Sequence, residues 1–257
     1  MNNQLIIVEE KINLSRGYTH FRVLDRIGAL YLVLDSNFED MKKAYEVESS
    51  EAIILRNKQR QTLFNFLSST YAYGEQLKVL VNSYYGGEKL ETEYTKKVEE
   101  LSHDGLYSFV KYFRNYHTHS IIPLLYTSIE PDGRMRYYVG KNKLYEFKTW
   151  SRASRDFFES FREDQIEVLP IFDEYMSKVK TFVEWLVEEI ISDYDSEIEE
   201  YLKLVDRHNR ITGNFKDFKN RWKKGERNLE IMLYSELQRK MQNNVEYSYQ
   251  IGLGKDY

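Results

Sequence analysis

The chain has 257 residues, 42% hydrophobic and 30% charged, a composition that excludes wholesale disorder and is long enough to bury a sizeable core. A net charge of −4 means that any nucleic-acid contact must come from a local basic patch. With no cysteine there is neither a disulfide framework nor a thiolate zinc site, and 12 glycines and 3 prolines leave too little punctuation for many short strands.

A mainly α fold is therefore expected. The N-terminal stretch MNNQLIIVEEKINLSRG has neither a basic leader nor the apolar run of a signal peptide, and no segment approaches the roughly eighteen apolar residues of a membrane span. A cytoplasmic protein that does not engage a membrane is expected.

The first helical pattern is residues 19–34, where Phe21, Leu24, Ile27, Tyr31 and Leu34 recur at helical spacing. A longer one covers 50–85. Its stripe is Leu63, Phe64, Leu67, Tyr71, Leu77, Leu80 and Val81, and Gly86-Gly87 stops it. A charged helix over 88–101 follows. Ser102 or Asp104 then reads as the N-cap of a helix over 106–120, which Pro123 terminates. Beyond it, Pro131-Asp132-Gly133 between two β-prone runs predicts a hairpin, and LYEFKTW (144–150) a third strand.

Helical pattern resumes over 171–205, with Pro170 suited to its first turn. Tyr175, Val179, Phe182, Leu186, Ile190, Tyr194, Ile198, Tyr201 and Val205 form the stripe. Gly213 breaks this pattern, and a final helix is expected over 214–243. The expected architecture is a helical bundle (1–123), a small β insertion (124–150) and additional C-terminal helices (151–257), packed as one domain.

Chemistry concentrates in the stretch RNYHTH, residues 114–119, which holds two of the five histidines. On an ideal helix with Phe113 at zero, Leu106, Phe109, Val110, Tyr116, His117 and Ser120 fall within about 60° of it and form the core stripe. His117 thus reads as a hydrogen-bonded core histidine. Arg114 falls at about 100°, Thr118 at about 140°, Asn115 at about 200° and His119 at about 240°. His119 has no packing reason to be there. Arg114 and His119 flank a polar face.

An arginine, a polar residue directly after it, and a histidine after four intervening residues, late in an amphipathic helix, resemble the Rx4–6H motif of the HEPN family. The resemblance covers about residues 15–125. It implies a HEPN-like helical bundle and a metal-independent endoribonuclease of phage defence or a toxin–antitoxin system. No cofactor is implied, and the partners would be an RNA substrate, a second copy of the chain and an antitoxin or other defence protein. One departure stands out. HEPN toxins paired with nucleotidyltransferase antitoxins usually carry tyrosine two residues after the histidine, where this chain has Ile121.

The residue types suit that chemistry. Metal-free RNA cleavage uses the substrate's 2′-OH and needs proton transfer and a positive charge on the developing phosphorane. Histidine as a residue type suits His119 to a proton role, the planar guanidinium fork suits Arg114 to phosphate oxygens, and Asn115 can orient the imidazole or bind a phosphate oxygen. HEPN RNases generally bring two such sets together across a dimer.

Two further stretches carry charge. The run 184–200 has eight acids and no base, most opposite the apolar stripe, and reads as a solvated face with no metal site expected. The segment 207–227 has eight Lys/Arg against two acids, with aromatics interleaved. Arg221, Trp222, Lys223 and Lys224 there suit RNA contact, although aromatics spaced by three and four also suit a core. A catalytically inactive helical module that binds RNA or protein is the alternative to the nuclease.

Overall fold

A computed structural model describes residues 3–46, 52–119, 125–129 and 135–212. Nine helices and three strands follow in chain order among these residues: α1 (Asn3–Leu14), α2 (Arg16–Glu46), α3 (Ala52–Tyr85), α4 (Lys89–His103), α5 (Gly105–His119), β1 (Tyr126–Ile129), β2 (Met135–Gly140), α6 (Lys141–Glu146), α7 (Arg152–Glu159), β3 (Gln165–Glu167), α8 (Leu169–Asp193) and α9 (Asp195–Thr212). The protein is mainly α with a small antiparallel sheet, as the composition requires. No described helix is long and apolar enough to cross a membrane. Residues 120–124, including Pro123, lie outside the described residues, as do 130–134 and everything after Thr212, so Gly213 and the helix expected over 214–243 fall there.

The chain divides into two compact units, Met1–Ala29 with Glu184–Tyr257, and Leu30–Val183. The Leu30–Val183 unit is built on aromatic packing. Phe66 of α3 touches Phe38 of α2 and Phe172 of α8 at ring distances of 5.2 and 5.3 Å. On α5, Leu106, Phe109, Val110, Phe113 and Tyr116 are all buried. Phe109 stacks on Trp150 at 5.6 Å and meets Phe157 of α7 at 5.3 Å. Small residues let α5 and α7 approach closely: Ser108, Ser151 and Ser154 bond one another at 2.6–2.8 Å, and a Cβ on Gly105 would lie 3.0 Å from that of Phe157.

The sheet runs β1-β2-β3, both pairs antiparallel, with Tyr126 opposite Tyr138 and Val139 opposite Ile166. The hairpin expectation holds for its strands, but the third strand is not LYEFKTW. Residues 141–146 form α6, which buries Leu144. The Trp150 indole N–H and the Phe147 N–H both donate to the Leu144 carbonyl, at 2.7 and 3.1 Å. These local bonds fold the segment onto itself, and Gln165–Glu167 takes the free edge of β2. The helix expected over 171–205 is interrupted at Tyr194, between α8 and α9, although its apolar period continues through Ile198 and Tyr201.

The unit of Met1–Ala29 with Glu184–Tyr257 joins α1 to α9 and the first turns of α2 to the end of α8. Its polar centre is His20, only 2% exposed, whose Nε2 lies 2.7 Å from Glu197 Oε2. Arg16 Nε lies 3.5 Å from the same oxygen, and the His20 ring stacks on Tyr194 at 4.1 Å.

Candidate functional site

Helix α5 is fixed at its start by Asp104. Its Oδ1 accepts from the Leu106 and Tyr107 N–H groups at 2.9 and 3.1 Å, which makes Asp104 the N-cap. Its Oδ2 accepts from Lys178 Nζ of α8 at 2.6 Å. Burial pushes this carboxyl upward, but the bonds from Lys178, Tyr107 and Leu106 together outweigh it and hold the group below its ordinary value. With one end capped and one face packed, α5 presents the other face in a fixed orientation.

Arg114 stands at the edge of that face, half-buried. Its guanidinium carbon lies 4.7 Å from the centroid of the Tyr71 ring on α3, a cation–π seat. Nη1 donates to Asn115 Oδ1 at 3.2 Å, and Nε is buried with no hydrogen-bond partner. No carboxylate among the described residues neutralises it. Asn115 therefore holds the arginine. Thr118 donates its hydroxyl to the Arg114 carbonyl at 2.6 Å, which closes the last turns of α5.

His117 is 7% exposed, on the apolar stripe as the helical arithmetic predicts. The expected hydrogen bond is missing: both ring nitrogens are buried without a partner among the described residues. The Phe64 ring lies 6.1 Å from it. Burial lowers the His117 pKa below its ordinary 6.5, so the ring is neutral at neutral pH. His119 is the last residue of α5, and its side chain lies outside the described residues. Arg221, Trp222, Lys223 and Lys224 also fall outside them.

One sequence expectation fails instructively. Phe64 and Tyr71 were expected on the core stripe of α3, yet they are 45% and 48% exposed. The buried face is instead Leu63, Phe66, Leu67, Thr70, Tyr73, Leu77, Leu80 and Val81. Its centre lies about 130° from Phe64 and about 110° from Tyr71 around an ideal helix. These two rings border α5, beside His117 and Arg114. Aromatic residues populate both faces of α3, so hydrophobicity alone does not separate them. Tyr71 and the His20–Glu197 pair are the polar contacts that local spacing misses. The latter joins residues 177 positions apart and leaves no local signal. In the acidic run 184–200 none of the eight carboxylates is buried, and Glu197 is the one drawn to His20.

Comparison with protein-family models, with curated proteins and with solved structures found no match to this chain.

Proposed function

We propose that the chain is a metal-independent endoribonuclease of HEPN type, acting in phage defence or a toxin–antitoxin system, with Arg114 and His119 as its catalytic residues and Asn115 as a positioning residue. The observation that carries the reading is the state of Arg114. It is half-buried, seated on Tyr71 and Asn115, and without a carboxylate among the described residues. A structural arginine in that position is expected to find an acid. A charge held partly out of water and left uncompensated is instead suited to a phosphate.

In this mechanism the substrate's 2′-oxygen attacks the adjacent phosphorus, and the bond from phosphorus to the 5′-oxygen breaks. The 2′-OH proton leaves to a base and the 5′-oxygen takes one from an acid. His119, in a composite of two copies, fills these proton roles, while Arg114 stabilises the charge on the phosphorane. His117, buried and held neutral, stays outside the reaction. RNA incubated with the protein in EDTA should be cut to 2′,3′-cyclic phosphate ends. Activity that disappears on chelation and returns with magnesium or manganese would overturn the mechanism.

A further inference from the structure

We propose that Phe64 and Tyr71 of α3 form a stacking platform for an unpaired nucleobase of single-stranded RNA, beside the phosphate site at Arg114; this rests on the nuclease reading for its substrate. Phe64 and Tyr71 are 45% and 48% exposed and sit about two turns apart on one helix. Tyr71 carries the Arg114 guanidinium over its ring. Phe64 has no such cation, and its only ring neighbour among the described residues is the buried His117, tilted by 41° at 6.1 Å.

The surroundings favour a polyanion as the occupant. On an ideal helix Arg60 and Lys78 lie within about 40° of Phe64, one turn before it and nearly four turns after it. Both are at least partly exposed, and Arg114 adds a third cation from α5. Glu75 is the one acid on that strip of α3. An apolar protein partner would gain from the rings and lose by burying three cations against one acid. Single-stranded RNA uses both features: its phosphates meet the cations and its bases offer π-faces to the rings, while a duplex keeps its bases stacked internally.

The test measures binding apart from cleavage, in full-length protein carrying His119→Ala, with a fluorescent single-stranded oligoadenylate and an RNA duplex as probes. Phe64 is on the surface, so Phe64→Ala should leave the circular dichroism spectrum unchanged. It should weaken binding of the oligoadenylate on the order of tenfold or more and leave the salt dependence as it was. Phe64→Tyr should retain affinity, whereas Phe64→Leu, apolar without a π-face, should resemble alanine. Lys78→Glu should instead lower the salt slope by about one. Unchanged affinity in Phe64→Ala, full affinity in Phe64→Leu, or an oligoadenylate that does not bind would each overturn the platform. So would a Phe64→Ala protein of lower mass in solution and unaltered RNA affinity, because the face would then join two copies of the chain. The two proposals fail separately. RNA bound through Phe64 but never cut in EDTA removes the nuclease alone, and full cleavage by Phe64→Ala removes the platform alone.

Discussion

The Arg114 guanidinium carbon lies 4.7 Å from the centroid of the Tyr71 ring, so a side chain on α3 fixes the direction of the one cation that the RNYHTH stretch supplies. Such a contact at a partly exposed site is worth about 0.5–1 kcal/mol. Tyr71→Ala should therefore lower the single-turnover RNA cleavage rate by about two- to fivefold, with Tyr71→Phe close to the parent. A parent-like rate in Tyr71→Ala would mean that Asn115 alone holds the guanidinium.

His117 gives a pH signature. Its folded pKa lies below the ordinary 6.5 because burial disfavours the imidazolium. Above about pH 6.5 the ring is neutral in both states and contributes no pH dependence. As pH falls below that value the unfolded chain takes the proton first, so stability declines by at most about 1.4 kcal/mol per pH unit until the folded pKa is reached. His117→Phe removes this slope along with two unpartnered nitrogens. It should raise stability at neutral pH by about 1 kcal/mol and flatten the loss of Tm as pH falls below about 6.5. A less stable variant with the original slope would show that the imidazole has a partner beyond the described residues.

Asp104 separates two effects in one side chain. Its N-cap bonds are worth about 1–2 kcal/mol and its ion pair with Lys178, both partners partly exposed, up to about 1 kcal/mol. Asp104→Ala loses both, while Asp104→Asn keeps the cap and loses only the charge. Urea unfolding should thus rank parent above Asn above Ala. Because the folded pKa is held below its ordinary 3.8, the charge-linked part is present above that pH and disappears as pH falls through the folded value. Equal losses for Asn and Ala at neutral pH would assign the whole effect to Lys178.

The apolar period of α5 was readable because its hydrophobic residues occupy a single face, and all of Leu106, Phe109, Val110, Phe113, Tyr116 and His117 are buried. On α3 the same reasoning missed Phe66 and Tyr73, which are buried, and placed Phe64 and Tyr71 in the core, because aromatics line both sides of that helix. The strand assigned to LYEFKTW failed since local bonds to the Leu144 carbonyl, from the Phe147 N–H and the Trp150 indole folding back, stabilise a helical turn. At the site, the polar placement of Arg114 followed from spacing, but its seat on Tyr71 did not. A contact between two helices has no period to read.

Two glycines should respond oppositely to alanine. A Cβ on Gly17 would lie 2.1 Å from the Glu197 carbonyl oxygen and 2.6 Å from the Tyr201 Cβ, and a backbone oxygen cannot rotate aside. Gly17→Ala should cost about 1–3 kcal/mol and separate Glu197 from His20. Gly74, exposed within α3, meets nothing within 4 Å, so Gly74→Ala should gain about 0.5–1 kcal/mol from helix propensity alone. Thermal unfolding of the two variants checks the pair, and a neutral Gly17→Ala would contradict the close approach of α2 and α9.

The proposed active centre should be shared between two copies of the chain. Positions 114 and 119 leave α5 about 140° apart on an ideal helix, so one helix presents them as two sides of a face instead of converging them on one phosphate. Arg114 is already turned toward Tyr71 and Asn115, which fixes its side of that face. A two-fold axis beside the end of α5 would bring His119 of each copy towards the partner's arginine and remove both from bulk water, where a fixed charge stabilises a transition state most weakly. Mass in solution should correspond to a dimer. Homodimers of Arg114→Ala and of His119→Ala should each be inactive, whereas mixing and re-annealing the two should recover part of the activity through heterodimers that retain one intact arginine and one intact histidine in a common centre. A protein that remains monomeric while cutting RNA at full rate would refute the shared centre even with His119 essential. A dimer whose mixed variants stay silent would instead require all four groups at once.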